Sequence, residues 1–168
     1  MKVYTQAEFD AIPRDKFGIK HCPTGDYTQI KDFGEYCIFG KGCSFGKGCR
    51  FGACCSFGEC CRFGERCRFG EWCRFGERCG FGEWCRFGKG CSHEGLTNSR
   101  YFACDRIGSE RRKTYFFAAD EGMYVRAGCF FGTLDEFAAR VKKVHAGTRY
   151  EKEYLAAVEL AKIVLEEG

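Results

Sequence analysis

The sequence predicts a parallel β-solenoid followed by a small α+β domain. Cysteine recurs every six residues from Cys37 to Cys91, and the pair Phe-Gly keeps the same step from Phe33 to Gly88 without an insertion. A fixed short period is the mark of a repeat architecture, in which each unit stacks on the next. The composition is also typical of a repeat protein, because the chain has 15 Cys, 18 Phe and 23 Gly but only 2 Pro.

Each repeat has the form Cys-x-Phe-Gly-x-x. Cys and Phe are two residues apart, so in an extended strand they point to the same side, and we expect both to face the interior. The glycine after phenylalanine lies where the chain leaves this short strand. We expect the chain to bend there through backbone angles that cost other residues steric strain. Six residues then form one side of a coil.

The repeat resembles the hexapeptide signature of left-handed parallel β-helices, which is a small residue, any residue, a large apolar residue, glycine and two variable positions. The resemblance implies a triangular coil closed by three hexapeptides, with about three coils in all. Residues 18 apart would then stack in columns at the spacing of paired strands, about 4.8 Å. Burial of the rings, at about 1.5–3 kcal/mol each, is the main term favouring this solenoid. The predicted columns are Phe39, Phe57 and Phe75; Phe45, Phe63 and Phe81; and Phe33, Phe51, Phe69 and Phe87.

Three segments are expected along the chain. Residues 1–26 form an N-terminal cap with a short helix, because Thr5 and Glu8 make a capping box. A cap is needed since an open solenoid end exposes strand edges and apolar rings. Residues 27–93 form the hexapeptide solenoid, and residues 94–168 form a β-β-β-α-α domain.

The C-terminal domain is predicted from three strand-like segments and two helical ones. The segments SRYFACDRI, KTYFFAA and MYVRAGCFF are rich in aromatic and β-branched residues and are separated by turn signals. They predict a three-stranded antiparallel meander. Thr133 with Glu136 opens the first helix, Gly147 ends it, and Thr148 with Glu151 opens the second.

The variable positions of the repeat predict a charged outer surface. From Cys37 to Ser92 the chain has ten Lys or Arg and five Glu. Stacking by 18 places arginines in a line, and Arg and Trp are favoured at binding hot spots. One interpretation is therefore a flat face for an anionic partner; the other is an Arg–Glu mesh that only keeps the surface soluble. The candidate residues on this face are Arg50, Arg68, Arg86, Trp72 and Trp84.

A second basic cluster lies on the predicted hairpin RIGSERRK and its neighbouring strand. Its functional interpretation is contact with phosphate or with an acidic protein surface, and the alternative is a solvated turn. The candidate residues are Arg111, Arg112, Lys113, Tyr115, Tyr124 and Arg126.

The cysteines and histidines do not predict a metal site or a catalytic site. The sequence has no CxxC pair, and the repeat places its sulfurs in lines, so we interpret these cysteines as small buried hydrophobes. Cys54 and Cys60 depart from the six-residue step and should be the more exposed thiols. His21 and His93 have no acid at a recognisable catalytic spacing. We therefore expect no enzyme activity, no catalytic residue, no cofactor and no metal.

The chain also resembles small bacteriophage and prophage proteins that pair Cys-Phe-Gly repeats with a similar C-terminal part. The resemblance covers the lead-in CPTGDYTQIKDFGEYC and the stretch from YFFAADEGMYVRAGCFF to YLAAVELAKI. It brings no activity and no assigned site residues, but it implies the cytoplasm of an infected bacterium, where small proteins without catalytic machinery often act by binding and blocking host complexes, including defence nucleases. A cytoplasmic location is also expected because the chain has no signal-peptide pattern and no apolar run of about 20 residues.

The resulting hypothesis is a non-catalytic binding protein that inhibits or modulates a host protein or ribonucleoprotein complex, which makes it an anti-CRISPR candidate. Two alternatives remain. Direct nucleic-acid binding through the basic patches predicts a steep loss of affinity with salt. A metal or redox protein predicts stoichiometric zinc or iron on purification.

Overall fold

The computed structural model describes residues 1–166. The chain divides into two units, the first ending at Asn98 and the second beginning at Ser99. This division lies slightly beyond the predicted end of the solenoid at residue 93. No helix of the described residues is both long and apolar enough to cross a membrane.

The first unit is a parallel β-solenoid. Its strands form three parallel sheets with the orders β1-β4-β7-β10, β2-β5-β8-β11 and β3-β6-β9-β12, which corresponds to about four coils. The strands are β1 Lys20–Cys22, β2 Asp26–Tyr27, β3 Asp32–Gly34, β4 Cys37–Phe39, β5 Ser44–Phe45, β6 Arg50–Phe51, β7 Ser56–Phe57, β8 Arg62–Phe63, β9 Arg68–Phe69, β10 Arg74–Phe75, β11 Gly80–Phe81 and β12 Arg86–Phe87. The strand β1 lies inside the segment predicted as a cap, so the first coil begins earlier than expected.

The register confirms that three hexapeptides close one coil. Phe45 lies beside Phe63, and Phe63 lies beside Phe81, each 18 residues further along the chain. Within this column the ring centroids are 4.9 and 5.2 Å apart and the planes differ by 5°. Rings of neighbouring columns meet edge to face, as between Phe57 and Phe63 at 4.9 Å and 89°. Both geometries are favourable for aromatic pairs.

The glycine after phenylalanine has a different role from the predicted one. Positive φ occurs instead at the residue before each cysteine, for example at Arg78 (φ 59°) and Trp84 (φ 63°). A Cβ atom on Gly70 would lie 2.6 Å from backbone atoms of the coil below, and one on Gly82 would lie 2.5 Å away. These glycines are therefore required by the close approach of stacked coils. The predicted bend through glycine angles is wrong from Gly40 onward, and is seen only at Gly34, with φ 72°.

The inward cysteines form columns beside the rings, as predicted. Cys61 donates from Sγ to the carbonyl oxygen of Gly40 at 3.3 Å, and Cys91 donates to that of Gly70 at 3.4 Å. Each glycine belongs to the coil below, so the thiols join adjacent coils. A hydrogen bond to Cys61, followed by burial, raises the pKa of the Cys43 thiol. The Cys43 thiol is therefore neutral near pH 7.

The N-terminal helix α1, Gln6–Asp10, covers the start of the solenoid core. Thr5 and Glu8 form the predicted capping box. The ring of Phe9 is buried and meets the ring of Phe33 edge to face at 5.1 Å. Lys20 Nζ donates to the carbonyl oxygen of Phe9 at 2.9 Å. The helix thus supplies the ring that the first coil would otherwise lack.

The second unit is an antiparallel sheet with two helices. The strands β13 Arg100–Ile107, β14 Arg112–Ala119, β15 Gly122–Ala127 and β16 Phe130–Thr133 pair in chain order, followed by α2 Leu134–Val144 and α3 Arg149–Glu166. The predicted meander gains a fourth strand because the segment MYVRAGCFF folds into a hairpin, with Gly128 at φ 59° in its turn. The capping box of Thr133 and Glu136 is confirmed. Phe116, Val125, Phe137 and Val158 lie in the core of this unit.

Candidate interaction face

The outward residue of each strand in the sheet β3-β6-β9-β12 forms a charged column. Asp32, Arg50, Arg68 and Arg86 are aligned in register across the four strands. Strands in a sheet are about 4.8 Å apart. The column therefore places three guanidinium groups along the solenoid axis, with one carboxylate at its start.

The arginines of this column differ in how they are neutralised. Arg50 binds Asp32 through two hydrogen bonds of 2.8 and 3.3 Å. In the described part of the chain, no carboxylate lies within ion-pair distance of Arg68 or Arg86. Lysines and glutamates do pair at the turns, as between Lys41 and Glu59 at 3.6 Å. The turns thus carry Lys–Glu pairs in place of the predicted Arg–Glu mesh, and the later arginines of this column have no counter-charge among the described residues.

Trp84 extends this column into a groove. Its side chain is 76% exposed and stands on a corner of the coil. Arg66 occupies the same corner one coil earlier, and its backbone N–H donates to the carbonyl oxygen of Glu83 at 2.8 Å. Arg66, Arg68, Trp84 and Arg86 line a groove of about 350 Å³. We call these four residues the arginine groove.

Trp72 lies outside the arginine groove. Its indole covers Gly90, where a Cβ atom would lie 2.3 Å from the ring. The groove beside it has a volume of about 310 Å³ and is also lined by Cys54, Ser56 and Arg74. Trp72 therefore shares a groove with Arg74, which lies on the sheet β1-β4-β7-β10. Trp84 lines a different groove.

Two arginines were not singled out from the sequence: Arg66 of the arginine groove and Arg74 of the groove beside Trp72. Arg66 lies 18 residues before Trp84, so the same stacking rule that aligned Arg68 with Arg86 could have identified it. Arg74 follows Trp72 in EWCRFG, a hexapeptide that recurs around Trp84. That repeated string was the available signal.

Arg111 and Arg112 of the predicted basic cluster contact carboxylates of their own unit. Arg111 lies 3.3 Å from the carboxylate of Glu153, which also accepts from the backbone N–H of Gly108 at 2.8 Å. The Gly108 hydrogen bond and then the Arg149 guanidinium hold the pKa of Glu153 below its usual value. Arg112 approaches Glu110 at 3.7 Å. Arg111 therefore connects the β13–β14 turn to α3.

The aromatic residues predicted beside this cluster are also packed. Tyr115 is only 5% exposed, and the guanidinium of Arg126 lies 4.2 Å from its ring centroid. Lys113 Nζ lies 5.9 Å from the same centroid. Tyr124 stacks on Phe131 at 5.6 Å. Tyr115 thus offers little surface to a partner.

Two of the three histidines, His21 and His93, lie in unlike environments. His93 is 2% exposed and stacks on Phe75 at 5.0 Å, so it continues a core column. His21 contacts an acidic side chain that the sequence spacing did not indicate, because its Nε2 lies 2.8 Å from Oδ2 of Asp15. That carboxylate also accepts the backbone N–H groups of Phe17 and Ile19 at 2.8 and 3.0 Å. Asp15 therefore orders its own loop.

The thiols show no gathering around a common point. Cys54 and Cys60 are half-buried, in contrast to buried ladder thiols such as Cys55 and Cys61. Residues 1–166 contain no group of three or more His, Cys, Asp or Glu side chains that could hold a metal ion.

Comparison of the chain with family models, with curated proteins and with solved structures gave no match. The function is therefore argued from the geometry of the arginine groove and its surroundings.

Proposed function

We propose that this protein is a non-catalytic binding protein whose solenoid is a rigid scaffold for the arginine groove. The observation that carries the proposal is the placement of Arg66, Arg68 and Arg86 around the exposed ring of Trp84. Arg and Trp dominate binding hot spots because they combine large contact area with charge or hydrogen bonding. The groove fits an anionic surface of a macromolecular partner.

Electrostatics support this role for the groove. Two unit charges separated by the strand spacing of about 4.8 Å repel each other by roughly 0.9 kcal/mol in bulk water. The repulsion between Arg68 and Arg86 persists in the free protein, since no carboxylate of the described residues pairs with either. An anionic partner removes this repulsion and gains charge-assisted hydrogen bonds, which are the stronger kind.

The partner in this proposal is a host protein or ribonucleoprotein complex in a bacterial cytoplasm. The resemblance to bacteriophage and prophage proteins supports that setting. The narrower form of the proposal is an inhibitor of a defence nuclease, including an anti-CRISPR role. The stacked solenoid core supports a scaffold role, because its paired strands hold the backbone of the groove residues in place.

The test is capture of a partner by immobilised protein from a host lysate, followed by quantitative mass spectrometry. Reversal of the groove charges in R68E/R86E should reduce the captured partner at least tenfold. The control is R62E/R78E, a charge reversal of the same size outside the arginine groove. Both residues are exposed; Arg62 is the outward residue of β8, and Arg78 is the corner residue before Cys79. Equal capture by both double variants would exclude the groove as the binding surface.

A further inference from the structure

We infer that the arginine groove binds single-stranded nucleic acid, with one base stacked on Trp84 and the adjacent phosphates on the guanidinium groups. The inference rests on the proposed binding function and names the chemistry of the partner, which is the RNA or DNA strand of a nucleoprotein complex.

Trp84 has the properties of a stacking platform. Its indole is 76% exposed, and no aromatic ring of residues 1–166 packs on it. Its backbone is held at φ 63° on the corner of the coil, between strands that pair along the solenoid. An accessible π face accepts any base, and such stacking requires no sequence readout.

The arginines match a chain of phosphates better than they match protein carboxylates. Arg68 and Arg86 lie on adjacent strands, and Arg66 stands beside them in the same groove of about 350 Å³. A protein would have to present several Asp or Glu residues at the same close pitch. A nucleic-acid strand carries consecutive phosphates by its covalent structure, and guanidinium groups bind phosphate through paired hydrogen bonds.

The position of the ring favours a single strand over a duplex. Bases within a duplex are stacked on their neighbours, so a protein ring reaches a base face only where the base is unstacked. The groove surrounds Trp84 with guanidinium groups, a combination typical of channels for single strands.

One exposed carboxylate limits where the strand can lie. Glu83 precedes Trp84 and is exposed, whereas the equivalent Glu65 pairs with Lys47 at 3.6 Å. The phosphates must therefore follow the side of Arg68 and Arg86, away from Glu83. Removing this charge in E83Q should strengthen binding of a strand about two- to fivefold.

The experiment uses the tryptophan fluorescence of the full chain. The protein has 2 Trp, so W72F leaves Trp84 as the only reporter. Titration of W72F with 12-nucleotide single-stranded RNA or DNA should quench its emission. The logarithm of the association constant should fall with the logarithm of salt concentration with a slope of about −2, because three phosphates are neutralised at about −0.7 each.

Binding of a labelled oligonucleotide, followed by anisotropy, tests the individual residues. W84A should weaken binding about 5- to 150-fold, the range found for loss of one stacked base. R68E/R86E should remove binding, and R62E/R78E should retain it. Circular dichroism melting of each variant separates a lost contact from a lost fold.

Further probes decide between the ligand inference and the broader function. If polyglutamate binds as tightly as the oligonucleotide and responds to the same variants, the ligand is an acidic protein surface and the inference is overturned. Equal affinity for a 12-base-pair duplex overturns the single-strand assignment. If no probe binds while R68E/R86E still loses the captured partner, the inference fails and the proposed function stands.

Discussion

Replacing Phe63 by alanine removes a ring from the centre of the solenoid core. The side chain is 4% exposed. It stacks on Phe45 and Phe81, at 4.9 and 5.2 Å between centroids. It also meets Phe57 and Phe69 edge to face at 4.9 and 5.0 Å. Its substitution therefore tests the stacked core directly.

The expected loss in the free energy of unfolding is about 5 kcal/mol. Buried Phe→Ala substitutions cost about 3–5 kcal/mol, because transfer free energy is lost and a cavity remains. Aromatic pairs add about 0.5–1.5 kcal/mol each beyond the buried area, and Phe63 forms several of them. The surrounding rings are held by paired strands and cannot collapse into the space, so the upper end of the range applies.

Urea denaturation in reducing buffer, followed by circular dichroism, measures this loss. Phe63→Leu keeps most of the volume and should cost less than about 2 kcal/mol. Phe17→Ala is the exposed control, since Phe17 is 74% exposed and the substitution should change stability by less than about 0.5 kcal/mol. A loss of less than about 1 kcal/mol for Phe63→Ala would refute the view that ring stacking stabilises the solenoid.

Two further predictions follow from the glycines and the thiols. Gly70→Ala should destabilise the protein by about 1–3 kcal/mol, because its Cβ meets backbone atoms at 2.6 Å, whereas Gly80→Ala has open space and should be near neutral in the same urea assay. A thiol–thiol hydrogen bond, followed by burial, raises the pKa of Cys43, Cys49 and Cys91. Above about pH 8.5 the unfolded chain loses protons that these folded thiols keep, so the free energy of unfolding should fall by about 1.4 kcal/mol per pH unit for each thiol. A urea midpoint that is unchanged between pH 7.5 and 9.5 would contradict this.

Much of the solenoid could be predicted, because the six-residue period determines which residues of adjacent strands pair. The alignment of Phe45, Phe63 and Phe81 follows from the spacing once three hexapeptides form a coil. The role of glycine could not be derived in the same way, because glycine also occurs at corners such as Gly48 and Gly90. Only the contact between coils distinguishes a glycine required by its φ from one required by a neighbouring backbone.

The candidate site was predictable where it depends on stacking and unpredictable where it depends on tertiary contacts. The spacing of 18 aligned Arg68 with Arg86, as the strand register shows. The ion pair of Arg111 with Glu153 joins residues far apart in the chain, and burial of Tyr115 depends on packing around its strand. Neither leaves a periodic signal in the sequence.

The fold itself does not require Trp84 at its corner. Gly48 occupies the same corner column and adopts the same left-handed conformation at φ 71°, where glycine has no Cβ penalty. Trp84 adopts φ 63° with a large side chain and leaves 76% of that side chain exposed. A non-glycine residue in this region costs on the order of 1 kcal/mol, and exposed indole adds nothing to the core. The proposed contact with a partner accounts for this residue, and the arginines beside it, which have no counter-charge among the described residues, favour a partner that carries negative charge.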